Sequence, residues 1–127
     1  LYILPLRRPS NVSSTAPHNM PLHSKKCVPC DGSVPALSPK EMASYQIELR
    51  LPWDIVDGEK IHHKFSFKNF IDAMHFVNAT ATVAEAEGHH PDIAIHYNTV
   101  DITLWTHAID GLSKNDFILA AKIEHLI

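Results

Sequence analysis

Ten of the 127 residues are histidine. Three of them have a setting suited to chemistry: His89 and His90, in Gly88-His89-His90-Pro91, and His107 further on. Imidazole titrates near neutrality, so a group of such rings is suited to moving protons as general acid and base. The adjacent pair follows a helix end and precedes a proline, which puts it on a short, stiff connection. Reactive side chains favour loops held by rigid elements. His107 ends a strand that turns and returns, so its ring is carried back beside the pair. His62, His75, His96 and His125 read as surface or satisfied residues.

A zinc ion on three histidines is the chemical rival. Adjacent histidines diverge, however, and the chain has no HExxH, so no metal is expected. Cys27 and Cys30 form a single CxxC. Without a second such pair a four-ligand structural site is not built. A reversible disulfide and a reduced surface pair both stay open. Four glycines make no phosphate-binding loop. Asp116 stands three residues after Ser113 and completes a helix capping box. Glu85 and Glu87 fall on the last turn of their helix.

These residues need elements to hold them. Ser38-Pro39-Lys40-Glu41 starts a helix that runs to about Leu49, with Ser38 as cap and Pro52 as stop. Trp53–Val56 and Lys60–Phe67 flank Asp57-Gly58, a hairpin signal. Alternation puts Ile61, His63, Phe65 and Phe67 on the buried face. Lys68–Glu87 is a helix with the stripe Phe70, Met74, Val77, Ala81 and Ala84, ended by Gly88. Ile93–Tyr97 and Val100–His107 form a second strand pair around Asn98-Thr99. Ser113 opens a last helix with Leu119, Ile123 and Leu126 on one side. The order is helix, two strands, helix, two strands, helix. It predicts an α+β fold: one four-stranded antiparallel sheet with three helices on one face. The other face is left for solvent or self-association, and the open edges for pairing with a second copy.

Length allows one core, assigned to residues 38–127. Residues 1–37 carry six prolines and read as a largely irregular extension, ordered if anywhere near Lys25–Pro35. Residues 1–30 hold Arg7, Arg8, Lys25 and Lys26 and no acid, which suggests a targeting segment or a disordered extension, with a cloning or gene-model artefact as the rival reading. Apart from such an organelle address, the chain is expected in the cytoplasm. A net charge of -3 gives no sign of direct nucleic-acid binding, and no apolar run is long enough for a membrane span.

The spacing of the candidate residues resembles the pterin-4a-carbinolamine dehydratases. Their signature places an acid four residues before a His-His-Pro, then an aromatic, a third His and an Asp. Glu85, His89, His90, Pro91, Tyr97, His107 and Asp116 fill those positions in this chain. Phe65–Phe70, Tyr97–Val100 and Gly111–Ser113 are also similar to the family. The likeness covers residues 38–127. Lys25–Cys30 is similar to the lead-in of plant, protist and some bacterial members.

The resemblance implies the same fold, a homodimer or homotetramer, and no metal or organic cofactor. It implies dehydration of a 4a-hydroxytetrahydropterin to the quinonoid dihydropterin, the step that recycles tetrahydrobiopterin. His89 and His107 would be acid and base, and His90 would hold the pterin. Glu85 and Asp116 would orient imidazoles or bind the ring's amide edge, with Pro91 in the substrate-binding set. Two alternatives accompany it: a non-catalytic dimerisation or binding module, as animal members also serve a homeodomain transcription factor, and a related enzyme acting on another pterin. The chain departs from animal members at Ile93, where they carry an aromatic, and at Ala108 and Ile109.

Overall fold

A computed structural model describes residues 20–29 and 32–127. The expected targeting leader falls mainly on residues 1–19, outside the described residues, as does Cys30.

The capping box forms as the sequence predicts. Ser38 Oγ accepts from the Glu41 N–H at 3.2 Å, and Glu41 Oε1 accepts from the Ser38 N–H at 2.9 Å. Helix α1 therefore begins at Pro39 and runs Pro39–Glu48. Strands β1 (Asp54–Val56) and β2 (Lys60–Ser66) follow. Asp57 and Gly58 between them both have positive φ, 55° and 70°. That pair of left-handed residues suits the right-handed twist of a hairpin. Helix α2 is Phe70–Glu87, strand β3 Asp92–His96, strand β4 Thr99–Leu104 and helix α3 Lys114–Glu124.

The sheet order is β1-β2-β4-β3, antiparallel throughout. Ile61, Phe65, Val100, Ile102 and Leu104 are buried on one face. Trp53, Phe76, Phe117, Leu119 and Ile123 close the core over them. His63 shares the buried face by behaving as an aromatic: its ring lies 4.7 Å from Phe65 and 5.6 Å from Trp53. The opposite face is polar. There His62 Nε2 pairs with Asp101 at 2.7 Å. The α+β fold and its element order agree with the sequence reading.

Three of the differences bear on the core and the site. The buried stripe of α2 is Ala73, Phe76, Thr80 and Ala84, whereas Phe70 is nearly half exposed and Ala81 faces solvent. The helix is apolar around much of its circumference, so periodicity alone offers more than one stripe. Phe76 decides the matter by packing 4.7 Å from Phe65 and 5.0 Å from Phe67. The helix starts later than expected because the Asn69 side chain accepts from the Asp72 N–H at 2.8 Å and caps it. Finally, β4 ends at Leu104. Thr106 and Gly111 exchange backbone hydrogen bonds of 2.8 and 3.4 Å, which closes a tight loop. His107 therefore sits on a 3-10 turn, His107–Ile109, rather than on the strand itself.

The segment before α1 is more than a tail. Leu22 is only 2% exposed and belongs to the core. Lys122 Nζ on α3 donates to the His23 carbonyl at 3.0 Å.

Gly88 ends α2 at φ 67°, donating back to Ala84 and Glu85 carbonyls. A Cβ at this position would meet nothing within 4 Å. The cost of Gly88→Ala is therefore backbone strain without a clash. Left-handed geometry costs an L-residue about 1–2 kcal/mol, partly offset by a stiffer unfolded chain. We expect a net loss of about 1 kcal/mol, read as a lower urea midpoint with an unchanged m-value.

Candidate active site

The end of α2, the loop into β3, the turn after β4 and the start of α3 meet around one open cavity of about 590 Å³. Its lining includes His89, His90 and His107. The three rings singled out by the sequence are thus brought to one cavity, which is large enough for a flat bicyclic molecule. Pro91 lines it as well, and fixes the connection out of the histidine pair.

The two adjacent rings diverge, as expected of neighbours. His89 points inward. Its Nε2 lies 2.6 Å from Asp116 Oδ1, and its side chain is 13% exposed. Asp116 is fully buried. Its second oxygen, Oδ2, accepts from the Ser113 N–H at 2.9 Å and from Thr106 Oγ1 at 2.8 Å. Ser113 Oγ lies 2.7 Å from Thr106 Oγ1, so a buried chain of hydroxyls backs the carboxylate. Asp116 completes the capping box of α3 and holds His89 at the same time. With both of its oxygens accepting, the tautomer that satisfies the pair carries its proton on Nε2. Nδ1 is then the nitrogen with the lone pair.

His90 points outward. Its Nε2 lies 2.9 Å from Glu85 Oε1, with both side chains mostly exposed. A pair this exposed contributes little to stability but sets a preferred ring direction. Glu85 and Asp116 thus each contact one imidazole. Asp116, being buried, reaches a ligand only through His89.

His107 is exposed and stacks on Trp105 with ring centroids 3.9 Å apart. The indole is itself fixed, since Trp105 Nε1 donates to Asp92 Oδ2 at 3.2 Å and Lys60 Nζ lies 4.7 Å from the ring centre. Sequence reading did not assign Trp105 to the site. Its position two residues before His107 in an alternating strand was the available signal, because such residues share a side. Tyr97, the aromatic of the spacing pattern, is at the β3–β4 turn with φ 53° and does not line this cavity.

The fourth wall was not anticipated either. Cys27, Val28 and Pro29 line the same cavity as the histidines, together with Glu87 and Asn115. Burial, reinforced by the Glu87 charge, pushes the Cys27 thiol up to about 12, so it is a protonated group and no nucleophile. Burial acts to raise Glu87. The Cys27 N–H together with Lys122 and Lys26 outweighs it and holds the carboxyl below its ordinary value. Among the described residues no group of three His, Cys, Asp or Glu converges as a metal site, and no helix is long and apolar enough to cross a membrane.

Residues 35–126 match the family model described as pterin 4 alpha carbinolamine dehydratase. A protein of Rickettsia canadensis, provisionally named a pterin-4-alpha-carbinolamine dehydratase, is 44% identical over 106 residues, covering 84% of this chain and 97% of that one. A similarly named protein of Nitrosospira multiformis is 47% identical over 105 residues, covering 83% and 91%. A crystal structure described as a transcriptional coactivator/pterin dehydratase from Brucella melitensis superposes with a TM-score of 0.67 at 36% identity, over 72% of this chain and 97% of that chain. A pterin dehydratase-like protein identified as a RuBisCO assembly factor shares the fold, with a TM-score of 0.50 at 23% identity over 58% of this chain and 84% of that chain. The chain belongs to the pterin 4 alpha carbinolamine dehydratase family.

Proposed function

We propose that the protein dehydrates a 4a-hydroxytetrahydropterin by histidine acid–base catalysis, and so serves to recycle tetrahydrobiopterin. The observation that carries this is the meeting of His89, His90 and His107 on one cavity, with a buried carboxylate behind His89. The reaction breaks the C4a–O bond and releases the oxygen as water. A double bond forms between C4a and the neighbouring ring nitrogen, which gives up its proton. One group must therefore deliver a proton to the leaving oxygen while another accepts one from nitrogen.

His89 is suited to the accepting role. Its Nε2 proton is committed to Asp116, and the positive charge it gains is stabilised by that buried carboxylate. His107 is suited to delivering the proton, since it stacks on Trp105 at the cavity wall with no carboxylate on its ring among the described contacts. His90, held by Glu85 at the rim, is placed to bind the pterin. The two 4a stereoisomers present their hydroxyl on opposite faces, so His89 and His107 would exchange roles between them.

Self-association belongs to the same reading. Strand β3 is a sheet edge, and Ile95 and Tyr97 are exposed beside it, as are Phe70 and Ile71 at the start of α2. Edges and patches of this kind favour pairing with a second copy.

The direct test is a rapid-mixing assay of freshly generated 4a-hydroxytetrahydropterin, followed by ultraviolet absorbance. The protein is expected to speed the appearance of the quinonoid dihydropterin well beyond the spontaneous rate. No acceleration at micromolar protein would refute the activity while leaving family and fold untouched.

A further inference from the structure

The segment ahead of α1 is tied to the cavity by groups that themselves line it. Asn115, 5% exposed, grips the backbone of Val28 from both sides. Its Oδ1 accepts from the Val28 N–H at 3.0 Å, and its Nδ2 donates to the Val28 carbonyl at 2.6 Å. One residue earlier, the Cys27 N–H donates to Glu87 Oε1 at 2.8 Å, and the Cys27 thiol donates to the Asn115 carbonyl at 3.6 Å. Glu87 is held in turn by Lys122, 3.5 Å from Oε2.

Further along, the same segment passes the turn that bears His107. A Cβ on Gly32 would lie 3.2 Å from the Ala108 carbonyl. The Leu37 N–H donates to the Leu112 carbonyl at 2.9 Å. The chain is therefore held at two places, Cys27–Val28 and Gly32–Leu37. Both latches neighbour the proposed machinery: Glu87 lies two residues before His89, and Asn115 directly precedes Asp116.

We propose that Cys27–Pro29 forms a substrate-binding wall of the cavity it shares with the imidazoles, and that Asn115 and Glu87 are the positioning residues that set it. This rests on the dehydratase reading and deepens it. The wall carries no charge, because the thiol stays protonated and Val28 and Pro29 are apolar. It suits the uncharged face of a planar pterin ring and determines which pterins are retained. It takes no part in proton transfer. Its loss should therefore weaken binding and leave the chemical step to the histidines. Glycine at position 32 is needed both for its φ of 84° and for the close pass by Ala108.

The test uses the full chain carrying Cys30→Ser, which leaves Cys27 as the sole thiol of two. Asn115→Ala is expected to raise the reaction rate of Cys27 with an aromatic disulfide reagent about tenfold, as the latch opens. KM for the 4a-hydroxytetrahydropterin should rise about tenfold, with kcat changed by less than about threefold, the signature of lost uniform binding. Val28→Trp is the second variant. Val28 is 66% exposed and its hydrogen bonds to Asn115 are made by its backbone, so the fold and the thiol reactivity should not change. KM should rise here too, because the indole narrows the cavity. Unchanged KM in both variants, alongside an active parent, overturns the wall. A Cys27 as slow in Asn115→Ala as in the parent overturns the latch. An inactive parent instead removes the dehydratase reading, a result distinct from either.

Discussion

Asp116→Asn is expected to lower kcat by up to about 10,000-fold with the melting temperature nearly unchanged, the loss seen when a comparable carboxylate behind a catalytic imidazole is made an amide. The reason lies in how the two oxygens are used. Ser113 N–H is a donor that cannot turn round, and it faces Oδ2. An asparagine must therefore put its oxygen there and its NH₂ toward His89. The ring then has to accept at Nε2, which moves its proton to Nδ1. The nitrogen that would take the substrate's proton becomes a donor. Packing and the helix cap survive, so stability should barely change. Asp116→Ala is different: it also strands the buried Ser113 and Thr106 donors, each of which costs about 1–3 kcal/mol when left unpaired. Single-turnover kinetics and thermal melts on both variants separate the two effects. Wild-type kcat in Asp116→Asn would remove His89 from the chemistry.

His107→Ala is expected to cost about 100- to 10,000-fold in kcat, the usual worth of one placed acid or base. Its ring is exposed and stacks on Trp105, so truncation should leave the core intact. The loss should appear in kcat and kcat/KM alike, because the proton is delivered only in the transition state. Circular dichroism should match the parent. A fully active His107→Ala protein would break the acid–base pairing and leave His89 without its complement.

The two positions were legible to different degrees. The Ser38 and Ser113 capping signals, the Asp57-Gly58 turn and the alternation in β2 and β4 are local, and local rules predicted the elements they produce. The convergence of His107 on the histidine pair followed from the strand return, although the ring arrives on a 3-10 turn that alternation does not foresee. The stripe on α2 was misplaced because a helix rich in alanine and large apolar residues has no unique apolar face. Only Phe76 meeting Phe65 and Phe67, across the sheet–helix interface, selects one. Asn115 and Glu87 were invisible as latches. Their partners lie 87 and 60 residues away along the chain, and no spacing rule links an amide to the backbone of a proline-rich segment. Asp116 was read as a cap or as a ligand to an imidazole. It does both, since a carboxylate has two oxygens and the fold uses them separately.

The burial of Leu22 has a consequence for how this protein is divided. The family model begins at residue 35, yet Leu22 is among the core residues and α3 reaches out to grip the chain at His23. A family model marks the most recurrent stretch of sequence; cohesion in space marks what must stay together for this chain to hold its shape. The second border encloses more chain than the first. A fragment cut at the first would carry the three imidazoles of the cavity but leave a hydrophobic socket empty beside α3.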